Sequence, residues 1–471
     1  MMKTRFLFLL VALLFASRAG AQSQLLHSLQ QNFVDLRFGM FIHFNMPTFY
    51  NEDWPDPDAS PELFNPKKMD CKQWAKAAKS ANMTYGCLTT KHHSGFCIWD
   101  TKTTDYSVMS SDFKRDVVKE YADAFRAEGL KVMLYYSILD THARLRRNCI
   151  TSKHIEMIKA QLRELLTNYG EITALIIDGW DAPWSRISYD DVPFEDIYCL
   201  VKSIQPHCLV MDLNAAKYPA EALFYTDIKS YEQGAGQHIS KETNRLPALS
   251  CLPLQSSWFW KESFPTATLK SPEKMVNDNI IPMGKAYCNF ILNVAPNKDG
   301  LMDDNALKAL KEIGRLWRND GQQAVLPEAE LPIISSNIAK FKPAEGSWSN
   351  DCDIMDFAND DNFGSCWNSN PRVKTPWYSV MLGREQPFNM IVITDRNNDR
   401  LQEYRLEYRV NDTWKMLYEG KAPTAQRVKI HRFDTIWGNA VRMVVLKSNG
   451  IPSIAEFGVY CERVYDFSEN L

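Results

Sequence analysis

From Phe38 to about Arg318, short apolar runs alternate with longer stretches in which apolar residues recur every three to four positions. The runs predict strands over Phe38–His43, Tyr85–Thr90, Lys131–Ser137, Ala174–Trp180, Leu209–Leu213 and Ala222–Lys229. Ser257–Trp260 is read as a seventh strand and Tyr287–Val294 as an eighth. The stretches between predict helices over Lys72–Ala81, Asp116–Glu128, Lys153–Asn168, Ile197–Ile204 and Asn305–Arg318. In the second of these, Val117, Val118, Tyr121, Ala122 and Phe125 share one face. Strand–helix alternation predicts a parallel sheet, and eight units over roughly 290 residues favour an α/β fold of the (β/α)8 barrel type.

The pattern changes after residue 325. Pro327–Pro332 reads as a linker, and beyond it lie short alternating runs separated by turns: Tyr378–Leu382, Met390–Thr394, Tyr404–Val410, Ala440–Val445 and Phe457–Tyr460. That texture predicts an all-β sandwich. The expected organisation is a barrel over 22–325 and a sandwich over 332–471.

Ahead of the barrel, Lys3 and Arg5 precede an apolar run from Phe6 to Ala16, followed by Ala19-Gly20-Ala21. This three-part layout predicts a secretory signal over 1–21, with a mature chain starting at Gln22 in the periplasm or the medium. The run is too short to span a bilayer, and no other stretch approaches the length for a membrane span. A net charge of −3 gives no basic field for nucleic acid. The eleven cysteines are odd in number and hold no CxxC pair, so pairing stays open; Cys87, Cys208 and Cys288 lie in apolar runs and read as buried thiols. The 13 Trp and 19 Tyr suit a carbohydrate binder, because sugar C–H faces stack on aromatic rings, and they equally suit a β-rich protein.

Barrel enzymes carry their chemistry at the C-terminal strand ends. Here those ends hold His43, His92 with His93, Asp140 with His142, Asp178, Asn214, Asp227 or Glu232, Trp258 and Asn293. Asp178 follows Ala174-Leu-Ile-Ile177, and a carboxylate ending so apolar a strand is costly to bury unless it is paired or used. It reads as a nucleophile or base, or as the cap of the next helix. Neutral His92 and His93 can bond sugar hydroxyls as donor and acceptor. Adjacent histidines on extended chain point to opposite sides, and no HxxxH or acidic triad accompanies them, so no metal and no other cofactor is expected.

These residues resemble the α-L-fucosidases, glycoside hydrolase family 29, over Phe38 to about Gly300. The resemblance is carried by Arg37-Phe-Gly-Met-Phe-Ile-His-Phe44, Thr48-Phe-Tyr-Asn-Glu-Asp-Trp54, Lys91-His-His-Ser-Gly-Phe-Cys-Ile-Trp99, Leu175-Ile-Ile-Asp-Gly179 and Ile291-Leu-Asn-Val-Ala-Pro296. Trp377-Tyr-Ser-Val-Met-Leu382 and Ser453-Ile-Ala-Glu-Phe-Gly-Val-Tyr460 resemble the discoidin-like sandwich appended to one branch of that family. The resemblance implies a retaining exo-glycosidase acting on glycans with a terminal fucose, with Asp178 as nucleophile. It also implies sugar contacts from His43, Asp53, Trp54, His92, His93, Tyr135 and Trp258. On the sandwich, Trp348, Trp367 or Trp414 are candidates for sugar binding, and the alternative is a domain that packs on the barrel and braces its loops.

The sequence departs from the family where the acid/base is expected. Counting back nine residues from Trp258 reaches Leu249, which transfers no proton. Glu232 is the preferred acid/base, with Glu242 as runner-up and Glu262 a further candidate. Ser94 stands where the family usually has Asp, and no Arg lies between Asn214 and Asp227. Two alternatives therefore stand beside the fucosidase reading: the same mechanism on another galactose-like sugar, and a glycan-binding protein with weakened catalysis. The oligomeric state is not read from the sequence.

Overall fold

The computed structural model describes residues 23–321 and 325–463. The signal sequence expected over 1–21 lies outside the described residues. The chain divides into two compact units: one holds residues 23–217 and 223–332, the other Tyr218–Ala222 and the described residues from Ile333 onward.

The first unit is a parallel eight-stranded sheet in the order β5-β4-β3-β2-β1-β8-β7-β6. Its strands are β1 (Phe38–Ile42), β2 (Tyr85–Lys91), β3 (Lys131–Ser137), β4 (Ala174–Asp178), β5 (Leu209–Asp212), β6 (Lys229–Glu232), β7 (Ala248–Pro253) and β8 (Cys288–Asn293). Six of these lie where the apolar runs predicted. Strands six and seven do not. Ala222–Lys229 precedes β6 and meets it only at Lys229. The stretch Ser257–Trp260 is loop, and the true seventh strand lies ahead of it. The helices over Cys71–Ser80, Val117–Ala127, Ser152–Asn168, Phe194–Ile204 and Asp304–Leu316 match expectation within a few residues. Asp116 starts the second by accepting the Lys119 N–H at 2.8 Å, as a capping Asp should.

Side chains on a strand alternate faces, so the inward phase can be followed to each strand end. Phe41, Met133, Tyr135, Ala174, Ile176, Met211, Ile228, Leu249, Cys251 and Ile291 all share the buried barrel interior. Continuing by twos carries His43, Ser137, Asp178, Glu232 and Asn293 to the mouth on that same inward phase. The bottom is filled by a helix over 23–36, whose Leu26 and Phe33 join the same core. Tyr85 donates there to Asn289 Oδ1 at 2.7 Å.

No ladder joins β5 to β6; a side chain bridges them. Asp227 sits before β6, where its N–H donates to Val210 O at 2.8 Å and its Oδ2 accepts the Val210 N–H at 2.9 Å. The carboxylate is fully buried and pairs with Lys202 at 2.8 Å, and Tyr198 donates to its other oxygen at 2.9 Å. Asp227 therefore belongs to the barrel wall and not, as the strand-end reading offered, to the mouth.

The second unit is an antiparallel sheet structure with strands β9 (Ala344–Gly346), β10 (Trp367–Asn368), β11 (Trp377–Asp395), β12 (Leu401–Val410), β13 (Thr413–Lys421), β14 (Val428–Ser448) and β15 (Ser453–Tyr460). Their order is β10-β15-β11-β14-β12-β13, with β9 on β11, consistent with a discoidin-like sandwich. The predicted runs Tyr378–Leu382 and Met390–Thr394 are the two ends of β11. That strand changes register against β14 between Met381 and Gln386 and again before Met390, and such bulges bend a strand. Trp367 is a core residue whose Nε1 donates to Ser349 Oγ at 2.9 Å, which removes it from the sugar-binding candidates. Trp348 is 58% exposed, and Trp414 lies beneath Arg442 at 4.2 Å.

Candidate active site

Asp178 ends β4 with its carboxylate facing the mouth and only 6% exposed. Tyr135 donates its hydroxyl to Oδ2 at 2.7 Å, and Asn214 donates Nδ2 to Oδ1 at 2.8 Å. Burial raises its pKa, while the bonds from Tyr135, Asn214 and the Gly179 N–H oppose the rise. Each of those bonds favours the charged form. The next residue, Gly179, turns the chain away with φ +115, a conformation that favours glycine.

Glu232 ends β6, beside Cys251 in the register with β7. Trp258 Nε1 donates to its Oε1 at 3.2 Å. Burial first, then the charge of Asp178, pushes the Glu232 carboxyl up to about 7, against the Trp258 bond. The mouth thus holds two carboxyls in unlike settings, one with both oxygens occupied by donors and one kept protonated toward neutrality. Glu242, by contrast, lies on an exposed turn, where the Ser240 hydroxyl is its neighbour at 3.5 Å. Glu262 is likewise exposed and pairs with Lys298 at 2.9 Å. Leu249 is a barrel-core leucine facing Ser230 and Asn289, because β7 runs ahead of Trp258 instead of through it.

Three imidazoles line the same pit. Asn293 donates Nδ2 to Trp258 O at 2.7 Å, which turns its Oδ1 toward His43 Nδ1, also at 2.7 Å. His43 Nδ1 is then the protonated nitrogen and Nε2 an acceptor. Ser137 donates its hydroxyl to Leu139 O at 3.1 Å, so it accepts from His93 Nδ1 at 2.8 Å. That leaves His93 Nε2 as an acceptor, 3.9 Å from Asp178 Oδ2. Burial holds His43 at about 3 against Asn293 and Asp53, and holds His93 at about 3 with His43 assisting. His92 is also lowered, by burial and by its two neighbours. Contrary to the expectation for extended chain, His92 and His93 do not diverge. β2 stops at Lys91, the chain turns, and the two rings touch with centroids 3.8 Å apart.

Trp258 reaches this pit from its loop, with its ring 5.0 Å from that of His43. Asp53 accepts from Ser257 at 2.8 Å and pairs with Lys261 at 2.9 Å, tying the 51–54 loop to the 257–261 loop. Trp54 is 48% exposed and stacks on His93 at 4.9 Å. Trp184, 42% exposed, lies 4.1 Å from the His93 ring and edge-on to Trp54. Trp184 and the bond from Asn214 to Asp178 were not anticipated. Trp184 sits mid-loop without periodic context, and Asn214 is out of phase with the inward residues of β5.

Asp140 and His142 hold structure beside the site. Lys91 Nζ, fully buried, lies 3.4 Å from Asp140 and donates to Tyr136 at 2.9 Å and Gln161 at 3.0 Å. His142 stacks on Tyr106 at 3.9 Å and bonds Pro57 O at 2.7 Å. Cys87, Cys208 and Cys288 are buried free thiols, as their apolar settings suggested. Among the described residues no helix is long and apolar enough to cross a membrane.

A family model described as alpha-L-fucosidase matches residues 46–322, and one described as F5/8 type C domain matches residues 337–457. Alpha-L-fucosidase 1 of Arabidopsis thaliana is 26% identical, covering 92% of this chain and 86% of its own. Tissue alpha-L-fucosidase of Homo sapiens is 22% identical, covering 62% of this chain and 68% of its own. Among solved structures, alpha-L-fucosidase isoenzyme 1 from Paenibacillus thiaminolyticus superposes with a TM-score of 0.54 at 23% identity, over 90% of this chain and 100% of its own, a likeness of fold.

Proposed function

Because the chain belongs to the alpha-L-fucosidase family and is a glycoside hydrolase acting on fucosides, we propose that it removes terminal α-L-fucose with retention, through Asp178 as nucleophile and Glu232 as acid/base. The observation that carries this reading is the contrast between the two carboxyls: donors occupy both oxygens of Asp178, whereas burial and the charge of Asp178 keep a proton on Glu232 up to about 7. Such divergence is how one site supplies a nucleophile and an acid together.

In the first step Asp178 attacks the anomeric carbon. The bond to the leaving oxygen breaks as Glu232 gives that oxygen its proton. Asp178 is now a neutral ester. The charge that helped hold the proton on Glu232 is gone, so Glu232 becomes a stronger acid, suited as a carboxylate to take a proton from water. The water oxygen then bonds the anomeric carbon, the ester breaks, and Asp178 recovers its charge. The Nε2 acceptors of His43 and His93 receive sugar hydroxyl protons. Trp54 and Trp258 offer faces for the C–H surface of the ring.

The test is a panel of aryl glycosides, including fucosides and galactosides of both anomers, with the first-formed product followed by NMR. Turnover of the α-L-fucoside with α-L-fucose appearing first is expected. Inversion, or turnover of a galactoside alone, refutes the reading. We further propose that the protein works after export, on the basis of the charged, apolar and small-residue sequence at its N-terminus. Mass spectrometry of the exported protein should find Gln22 at its N-terminus, and an intact Met1 overturns the proposal.

A further inference from the structure

We infer that Asp212 is a positioning residue for the reaction: it fixes Asn214, and Asn214 fixes one oxygen of Asp178. The inference rests on the nucleophile reading above. Asp212 ends β5 and is fully buried. Its Oδ1 accepts the backbone N–H of Asn214 at 2.9 Å, and its Oδ2 accepts the Tyr189 hydroxyl in a short bond of 2.5 Å. Its own N–H donates to Thr226 Oγ1 at 3.2 Å, so the strand end is pinned from a second side. Asn214 then delivers Nδ2 to Asp178 Oδ1 at 2.8 Å.

The arrangement matters because Asn214 is out of phase. On β5 the inward phase runs through Met211 and Leu213, which lie in the barrel core. Asn214 would point away from the pit if the strand continued. It reaches Asp178 because the chain turns at once into the single helical turn Ala215–Lys217, and the Asp212 carboxyl holds the N–H of Asn214 at that corner. A carboxyl wholly out of water is otherwise an expensive way to end a strand.

The acidic and phenolic groups facing Asp212 come from β4 and the loop after it, and Lys217 reaches Asp181 from the turn after β5. Tyr189 and Asp181 come from the loop after β4, Asp181 being paired with Lys217 at 2.5 Å, and Asp178 faces it from β4 itself. Burial, opposed by the bonds from Tyr189 and Asn214 and reinforced by Asp178 and Asp181, pushes the Asp212 carboxyl up to about 8.

The test compares kcat, KM and the pH profile of kcat/KM on an aryl α-L-fucoside for the wild type, Asp212→Ala, Asp212→Asn, Asn214→Ala, the Asp212→Ala/Asn214→Ala double variant and Tyr189→Phe. Asp212→Ala is expected to lower kcat about 100-fold, the cost of a misplaced reacting group, with KM within about threefold. Its acid limb moves to higher pH, because Asp178 loses a bond that favours its charge. Asp212→Asn, which keeps a side-chain oxygen to accept the Asn214 N–H, recovers at least about tenfold of that loss and returns the limb toward wild type. The double variant is no worse than Asn214→Ala alone beyond about threefold, as expected for residues acting in series. If Asp212→Ala does not fold, Tyr189→Phe carries the test, with a drop of about three- to tenfold in kcat and the same direction of limb shift. A loss with an unmoved acid limb, an effect on KM alone, or additive losses in the double variant overturns the inference. An inactive wild type sinks the nucleophile reading with it. An active wild type that is killed by Asp178→Ala yet indifferent to Asp212→Ala sinks this inference alone.

Discussion

Tyr135 and Asp178 lie on adjacent strands, one inward step apart, and the hydroxyl of the first donates to Oδ2 of the second at 2.7 Å. The phenol is pushed above its usual range by burial and by the charge of Asp178. It therefore stays a donor throughout the working pH range and favours the ionised carboxyl. Tyr135→Phe should raise the Asp178 pKa further. A hydrogen bond to a charged group is worth about 1.5–3 kcal/mol, so the acid limb of kcat/KM should move upward by about one to two pH units. A pH profile with an unshifted acid limb would show that the bond does not govern the nucleophile.

Glu232 should set the alkaline limb. Its folded pKa is raised to about 7, so it holds the proton needed for the first step below that pH and loses it above. Activity of the free enzyme should fall as pH rises through about 7. Glu232→Ala should abolish that limb and cost about 100-fold or more on substrates with poor leaving groups, and far less on activated aryl fucosides. Azide should restore turnover of the activated substrates as fucosyl azide. Rescue at Glu242→Ala instead would reverse the assignment.

Gly179 allows no side chain. A Cβ there would approach Ile138 Cγ1 to 2.8 Å, and φ is +115. The same corner holds the Ile138 N–H on Asp178 O at 2.9 Å. Gly179→Ala should cost about 1–3 kcal/mol of stability and at least about tenfold in kcat. Thermal unfolding and steady-state kinetics read the two effects separately, and a fully active Ala variant would contradict the strained corner.

Asp227 should matter for folding and not for chemistry. Removing one partner of a buried ion pair costs about 3–5 kcal/mol, so Asp227→Ala should lower Tm by roughly 5–8 °C. Turnover at room temperature should remain within about threefold of wild type for the fraction that is folded, since the residue lies in the wall. Circular dichroism, following a unit of about 300 residues in which that loss makes a Tm shift of this size, with an activity assay on the same sample, decides it.

Where strands were apolar runs, the runs located them, and a carboxylate closing the run Ala174-Leu-Ile-Ile177 already marked Asp178. The weak points were the short strands. β6 has four residues, including Lys229 and Glu232, and β7 is a short apolar stretch interrupted by Ser250 and closed by Pro253. Trp258-Phe-Trp260 mimicked one and drew the strand eight residues too far along the chain. Glu232 was legible because it closely follows the expected sixth strand, on the side where a barrel mouth lies. Asn214 was placed at a strand end, but neither its bond to Asp178 nor the position of Trp184 was legible, because a turn and a loop, neither periodic, decide where they point. The paired histidines misled for the same reason: the strand ends one residue before them.

The three imidazoles carry one more implication. All are driven neutral by burial, His43 and His93 to about 3. None changes its donor and acceptor pattern over the acidities at which Glu232 switches. On the proposed reading, the rings that receive the sugar hydroxyls keep one pattern of donors and acceptors while the rate follows Glu232, so a change of pH should alter the speed of turnover and leave the sugar preference unchanged.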